Sequence, residues 1–199
     1  MPKQARASAT QERIFVAFWS EVARIGYPKV TLDRVIKKAA VSKGSFYHHF
    51  RNKHHLFQCA YRAHTDRTRQ HVERVFAQGQ TVEDTIIGDV MRVIRELPDR
   101  RMIVAVLELD LVAMRDPSMR VYHAEDYATK RKLTERLIAE GIRRGELRAD
   151  IDVPDVARFI YTSIFGVYLL HFSAGETDDV AGKVERCLRM LFAGLRQES

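Results

Sequence analysis

The 199-residue sequence is poor in the residues that build stapled, strand-rich or membrane-spanning chains: it has two cysteines, five prolines and ten glycines. Cys59 and Cys187 stand too far apart to form a CxxC pair, and two cysteines make no disulfide framework. Both fall within helical patterns and read as small apolar fillers. So few glycines and prolines speak against an all-β or low-complexity chain. The longest stretch without Asp, Glu, Lys or Arg is Phe159–Gly175, which is interrupted by Ser, Thr, Tyr and His171. That falls short of the roughly 20 apolar residues of a membrane span, and the N-terminus carries no apolar segment of the signal-peptide kind. A cytoplasmic protein without a membrane partner is expected.

Histidine spacing speaks against a metal. His48-His49 and His54-His55 are adjacent, and neighbours on a helix point apart. His64 and His71 are seven apart, about 10.5 Å along a helix axis. No pair has the i,i+4 spacing of helical metal sites. Nucleophile elbows, dinucleotide fingerprints and P-loops are likewise absent from the sequence. Neither a cofactor nor an enzymatic activity is expected.

Apolar residues make up 46% of the chain, enough for a globular core. The charge is unevenly placed. Of the net +7, residues 1–55 carry +8 and residues 56–199 carry −1. Concentrated basic charge suits a nucleic-acid reader. A basic helix docking on anionic membrane would need one Lys/Arg face, whereas these bases spread over three short helices.

Apolar residues recur at helical spacing almost throughout, with no period-2 strand. Helix 1 is predicted from Thr10 to Ile25, buried through Ile14, Phe18, Val22 and Ile25, with Gly26 as a left-handed stop. Thr31 is a good N-cap for a short helix to Ala39. Ala40-Val41-Ser42 is a tight turn before a second short helix, Lys43 to His49. Asn52 caps a long helix to about Gln78. Thr81 with Asp84 resembles a capping box opening a helix to Leu97. Asp99 precedes a helix to Met114, Asp116-Pro117 one to Arg144, Asp152 one to Phe172, and Thr177-Asp178-Asp179 one to about Leu195. The reading is an all-α chain of about nine helices. It divides into a helix-turn-helix domain over 1–55 and a larger helical domain over 56–199.

The last two helices are apolar beyond one stripe. Tyr161, Phe165, Tyr168 and Phe172 share a face, which Ile160, Ile164, Val167 and Leu170 widen. Val184, Cys187, Leu188, Leu191, Phe192 and Leu195 form a second broad stripe. Helices apolar most of the way round are buried on two sides. One side can be the core and the other a partner subunit; the alternative is a wholly internal helix.

Thr31 to Phe50 has helix-turn-helix spacing, in which the second helix enters the major groove. Lys43 and Ser45 can reach base edges, and Gly44 lets the backbone approach DNA. Phe46 points back onto helix 1. Tyr47 and His48 carry tips able to donate to phosphate oxygens. Lys53, a cation at a helix N-terminus, opposes the helix dipole unless a phosphate sits there.

From Arg13 to Leu56 the sequence resembles the DNA-binding domain of the tetracycline-repressor (TetR) family of bacterial transcription regulators. The matching elements are Arg13-Ile14 with Ala17, Gly26-Tyr27, Thr31-Leu32, Ala39, the run Val41-Ser42-Lys43-Gly44-Ser45-Phe46-Tyr47-His48-His49-Phe50, Asn52-Lys53 and Leu56. The resemblance implies base contacts from Lys43, Gly44 and Ser45, and phosphate contacts from Thr31, Tyr47, His48 and Lys53. It further implies a homodimer on double-stranded DNA with a palindromic operator, repressing until a small molecule tilts helix 4. A constitutive regulator without an effector is the alternative. Three residues depart from the family pattern: Ala40 where the turn usually has Gly, Ile36 for a usual Ala, and Glu21 at a normally apolar site, with Arg24 or Arg51 as possible partners.

By the same resemblance, helices four to eight line the pocket and the last two make the dimer. Pocket candidates are Met91, Met102, Val106, Tyr122, Tyr127, Phe165 and Tyr168, with Ile94, Leu109, Met114 and Tyr161 beside them; each is either ligand-lining or core. Apolar, Met-rich walls suit a small hydrophobic or aromatic effector. Dimer candidates are Ile164, Val167, Val184, Leu188, Leu191 and Leu195.

Overall fold

The computed structural model describes residues 3–96 and 100–197; the side chains of residues 3–6, 96, 100–103, 105 and 106 lie outside the description. Among the described residues there are nine α-helices and one 3₁₀ turn. They are α1 (Lys3–Ile25), the turn Tyr27–Lys29, α2 (Leu32–Ala39), α3 (Lys43–His49) and α4 (Lys53–Ala77), then α5 (Val82–Glu96), α6 (Arg100–Arg115), α7 (Pro117–Arg143), α8 (Val153–Ser173) and α9 (Val180–Ala193). The all-α reading holds. The predicted Asp99 cap and the Leu97 helix end lie outside the described residues. Helix α1 begins seven residues before the predicted Thr10. The segment expected as a loop at Tyr27-Pro28 is a 3₁₀ turn whose proline stands in its first positions.

Short-range signals set most boundaries. Asn52 Oδ1 accepts from His55 N at 2.8 Å, Asp152 Oδ1 from Asp155 N at 2.8 Å, and Asp116 Oδ1 from Ser118 N at 2.9 Å. Thr81 Oγ1 accepts from Asp84 N at 3.1 Å and donates to the Asp84 carboxylate at 2.9 Å. These bonds satisfy amides that the first helical turn leaves without partners. Thr31 and Asp179 occupy cap positions without a side-chain cap bond. Gly26 has φ 76° and ψ 147°, a region open only to glycine. A Cβ there would also lie 2.7 Å from Glu108 Oε2.

The chain forms two compact units. The first contains residues 1–64 and 98–123. Its core takes Ile14, Phe18 and Val22 from α1, Val35 and Ile36 from α2, Phe46 from α3, Leu56 and Phe57 from α4, and Leu109, Ala113 and Met119 from α6 and the start of α7. Tilted aromatic pairs knit it together: Phe15 with Phe50 at 5.7 Å, Phe46 with Phe50 at 5.5 Å and Tyr27 with Phe57 at 5.5 Å between centroids. Such pairs add about 0.5–1.5 kcal/mol each beyond area burial. Glu21 is buried on α1; Arg24 Nη2 donates to Oε2 at 2.6 Å and Lys38 Nζ, from α2, to Oε1 at 3.2 Å. Arg24 is the partner expected, and Lys38 takes the place proposed for Arg51.

The second unit contains residues 65–97 and 124–199. Val82, Ile86, Ile87, Leu137, Ile138, Leu147, Ile160, Val184, Leu188 and Phe192 are buried in it. Gly141 lets α7 approach α5: a Cβ there would lie 2.8 Å from Val82 Cγ2 and 3.1 Å from Leu147 Cδ1. Helix ends and the segments that follow them are held by polar bonds. Glu146 Oε2 accepts from Val82 N at 2.7 Å, Arg148 N donates to Leu195 O at 3.0 Å, and Arg196 makes a forked pair with Glu83.

Candidate nucleic-acid interface

Helix α3 is seated by its apolar side and offers its polar side to solvent. Ser42 Oγ accepts from Ser45 N at 3.1 Å, capping its start. Phe46 is fully buried, fixing the rotation of the helix. On the other side Lys43, Gly44, Tyr47 and His48 are exposed, Ser45 is half-buried, and a Cβ built on Gly44 meets no atom within 4 Å. The preceding turn contains Ala40 at φ 51° and ψ 48°, the left-handed conformation that glycine supplies without strain.

The bases around α3 are not equally free. Lys43 Nζ lies 2.9 Å from Asp33 Oδ1, and both side chains are more than two-thirds exposed. The hydrogen bond to Asp33 raises the Lys43 pKa. Thr31, exposed at the start of α2, keeps its hydroxyl out of the cap. Lys53 is turned inward. Its ammonium donates to the carbonyls of Tyr27 at 3.2 Å and Pro28 at 3.3 Å and lies 4.6 Å from the Tyr27 ring centroid. Burial lowers its pKa. The unfavourable placement expected at a helix N-terminus is thus relieved inside the protein by carbonyl dipoles and a ring face. Two of its three N–H groups are used there. Lys29, Arg34, Lys37, Lys38 and Arg51 are exposed nearby in sequence.

The predicted pocket residues are divided between the two units. Met102 and Val106 have side chains outside the description. Tyr122 is half-buried in the first unit, with Leu109 in that unit's core and Met114 exposed. In the second unit Met91 is buried, Tyr127 meets Tyr161 edge-on at 5.7 Å, and Phe165 is exposed. Tyr168 is buried against Phe172, and its hydroxyl has no partner. This unit also turns polar groups inward. Asp126 accepts from Thr65 and from Lys130 at 2.7 Å. Asp89 accepts from Arg92 at 2.7 Å, and Tyr161 Oη lies 3.1 Å from Thr134 Oγ1. The Tyr161 pKa is raised first by burial. A separate groove of about 170 Å³ is lined by His71, Gln80, Asp84, Thr85 and Asp89, among others, and by none of the predicted pocket residues.

Among the dimer candidates, Val184 and Leu188 are wholly enclosed within one chain and Leu195 nearly so. They have little or no surface to offer a second chain, because the α9 stripe faces its own core. Ile164, Val167 and Leu191 are half-buried. The large apolar side chains exposed on these two helices are Phe159, Phe165, Leu169, Leu170 and Met190. Helix α8 has the length and hydropathy of a membrane span, yet one face is buried.

Beyond sequence spacing, a loop brings His171 Nδ1 within 3.2 Å of Glu176 and 3.6 Å of Asp178. Those ligand-type atoms would suit a cation. The Lys183 ammonium already binds both carboxylates.

An exposed, glycine-bearing second helix after a tight turn, on a basic and well-packed head, is the arrangement of a helix-turn-helix DNA-binding protein. Residues 17–60 match the family model for bacterial regulatory proteins of the tetR family, and residues 86–195 match that for the C-terminal part of BetI-type transcriptional repressors. The chain belongs to the TetR family of transcription regulators. It is similar to the uncharacterised regulator YdeS of Bacillus subtilis, 29% identical over 87% of this chain and 84% of that one. It is 22% identical to UidR of Escherichia coli, over 96% and 95%. It shares the fold of FadR from Bacillus subtilis in complex with stearoyl-CoA, at TM-score 0.77 and 19% identity, covering 93% of this chain and 99% of that one.

Proposed function

We propose that this regulator is a cytoplasmic, homodimeric repressor that binds a palindromic operator and is released by a small effector. Residues 1–55 read DNA, and residues 56–199 sense the effector and pair the chains. The observation that carries the reading is the solvent face of α3: Lys43, Gly44 and Tyr47 stand clear while Phe46 anchors the helix. Lys43, Gly44 and Ser45 contact bases; Thr31, Tyr47, His48 and the remaining N–H of Lys53 contact phosphates. The free Thr31 hydroxyl at the start of α2 supports its part.

Pairing through α8 and α9 is supported on α9 by the exposed Met190 and on α8 by the exposed arc of Phe159, Phe165, Leu169 and Leu170, within which Gly166 has open space about it. A partner backbone can approach closely there. Effector binding is supported by the unpartnered Tyr168 hydroxyl, which can donate to a ligand acceptor. It is supported too by FadR, which holds an acyl-CoA on the same fold. The effector then carries an acceptor beside its apolar or aromatic part.

Selection from a random duplex library, followed by anisotropy titration, tests the DNA reading. The enriched sequence is expected to be an inverted repeat bound with steep salt dependence. Enrichment of no sequence would refute it. A thermal-shift and operator-release screen tests the effector.

A further inference from the structure

We infer that Asp33 is a positioning residue for DNA reading: it holds the Lys43 ammonium at the front of α3 so that Lys43 addresses a base and not a phosphate. The inference rests on the assignment of Lys43 as a base contact. Asp33 is the sole acid between Val22 and Thr65. A lone carboxylate on a surface offered to a polyanion opposes binding to every sequence alike. Its pairing with Lys43 at 2.9 Å leaves both side chains largely in water, and such a pair adds little to stability. Asp33 also stands in the first turn of α2, where a carboxylate favours the helix. That effect needs no contact with Lys43, so the contact itself works against affinity and adds little to folding, and its own effect is geometric.

That effect follows from the chemistry of lysine. Its ammonium is a point charge on a flexible four-carbon stem, and phosphate oxygens are the nearest strong acceptors for a free one. Reaching a base edge requires the stem to be directed. The carboxylate is fixed on α2, whose Val35 and Ile36 share a core with Phe46 of α3. One N–H of Lys43 is spent on Asp33, and two remain for guanine O6 and N7. Asp33 thus trades general affinity for discrimination.

Library selection on wild type, Asp33→Asn, Asp33→Glu and Lys43→Ala tests this, with affinities measured for the enriched duplex and for a scrambled one. Asp33→Asn is expected to bind scrambled DNA more tightly, to lose tenfold or more in the ratio of the two affinities, and to flatten the same base position that Lys43→Ala flattens. Asp33→Glu is expected to restore preference at that position, which a purely structural role would not require. If Lys43→Ala flattens a position and Asp33→Asn leaves it sharp, the positioning role falls while base reading stands. If Lys43→Ala changes no position, base reading by Lys43 falls and the role of Asp33 with it.

Discussion

Lys38 Nζ on α2 stands 3.2 Å from Glu21 Oε1 on α1, so a buried acid joins the first helix to the helix that carries the reading turn. The second oxygen is held by Arg24 at 2.6 Å. The hydrogen bond from Arg24 outweighs the opposing effect of burial and, with Lys38, holds the Glu21 pKa at about 2 against an ordinary 4.5. The folded value is depressed, so the stabilisation is complete above about pH 4.5 and is lost as pH falls toward 2. At pH 7, Glu21→Gln is expected to cost about 1–2 kcal/mol, limited because water reaches Arg24 and Lys38. In thermal melts between pH 6 and 3 the wild-type midpoint should fall more than that of the variant; parallel curves would refute the pairing.

Gly44 separates folding from reading. A Cβ there meets nothing in the protein, and Ala favours helix over Gly by about 0.5–1 kcal/mol. Gly44→Ala should therefore melt no lower than wild type while losing at least tenfold in affinity for the selected duplex. Unchanged affinity would remove Gly44 from the DNA contact.

Ala40 carries strain that glycine would relieve. Its left-handed backbone costs about 1 kcal/mol for an L side chain. Ala40→Gly is expected to raise stability by up to about 1 kcal/mol, less the greater freedom of glycine in the unfolded chain. DNA affinity should be unaffected, since the residue lies in the turn before α3. A lower midpoint in denaturant would show that the turn tolerates alanine without strain.

At Gly141 space is the constraint. The missing Cβ would press on Val82 and Leu147, so Gly141→Ala should destabilise the second unit by about 1–3 kcal/mol. Helix propensity alone predicts the opposite sign, which makes the melting shift decisive.

What the sequence discloses is what its chemistry decides locally. Asn52, Thr81, Asp116 and Asp152 cap the helices they were expected to cap, because each bond spans two or three residues. The start of α1 carries no such signal, so its first seven residues are not legible in the sequence. Lys53 binds carbonyls 25 and 26 residues back, and His171 meets its acids across a helix-ending loop; spacing along one helix reveals neither. The departure at Ala40 is legible only through the family resemblance, which places a glycine at that turn position; the left-handed backbone there is the physical reason. The α8 and α9 stripes were legible as apolar but not as inward or outward, since periodicity fixes a face and says nothing of what covers it.

That ambiguity yields the sharpest contrast for the dimer. Leu188 is fully buried in its own chain, whereas Leu170 is 68% exposed. Leu188→Ala should destabilise the folded protomer by about 2–5 kcal/mol through the cavity it leaves. Leu170→Glu touches no core and should leave helicity intact, but it would bury an unpaired charge in any interface built on α8. In light scattering at micromolar concentration, Leu170→Glu is expected near the 23.0 kDa of one chain and wild type near twice that mass. If Leu170→Glu stays dimeric, the arc that contains Gly166 is not the surface that pairs the chains.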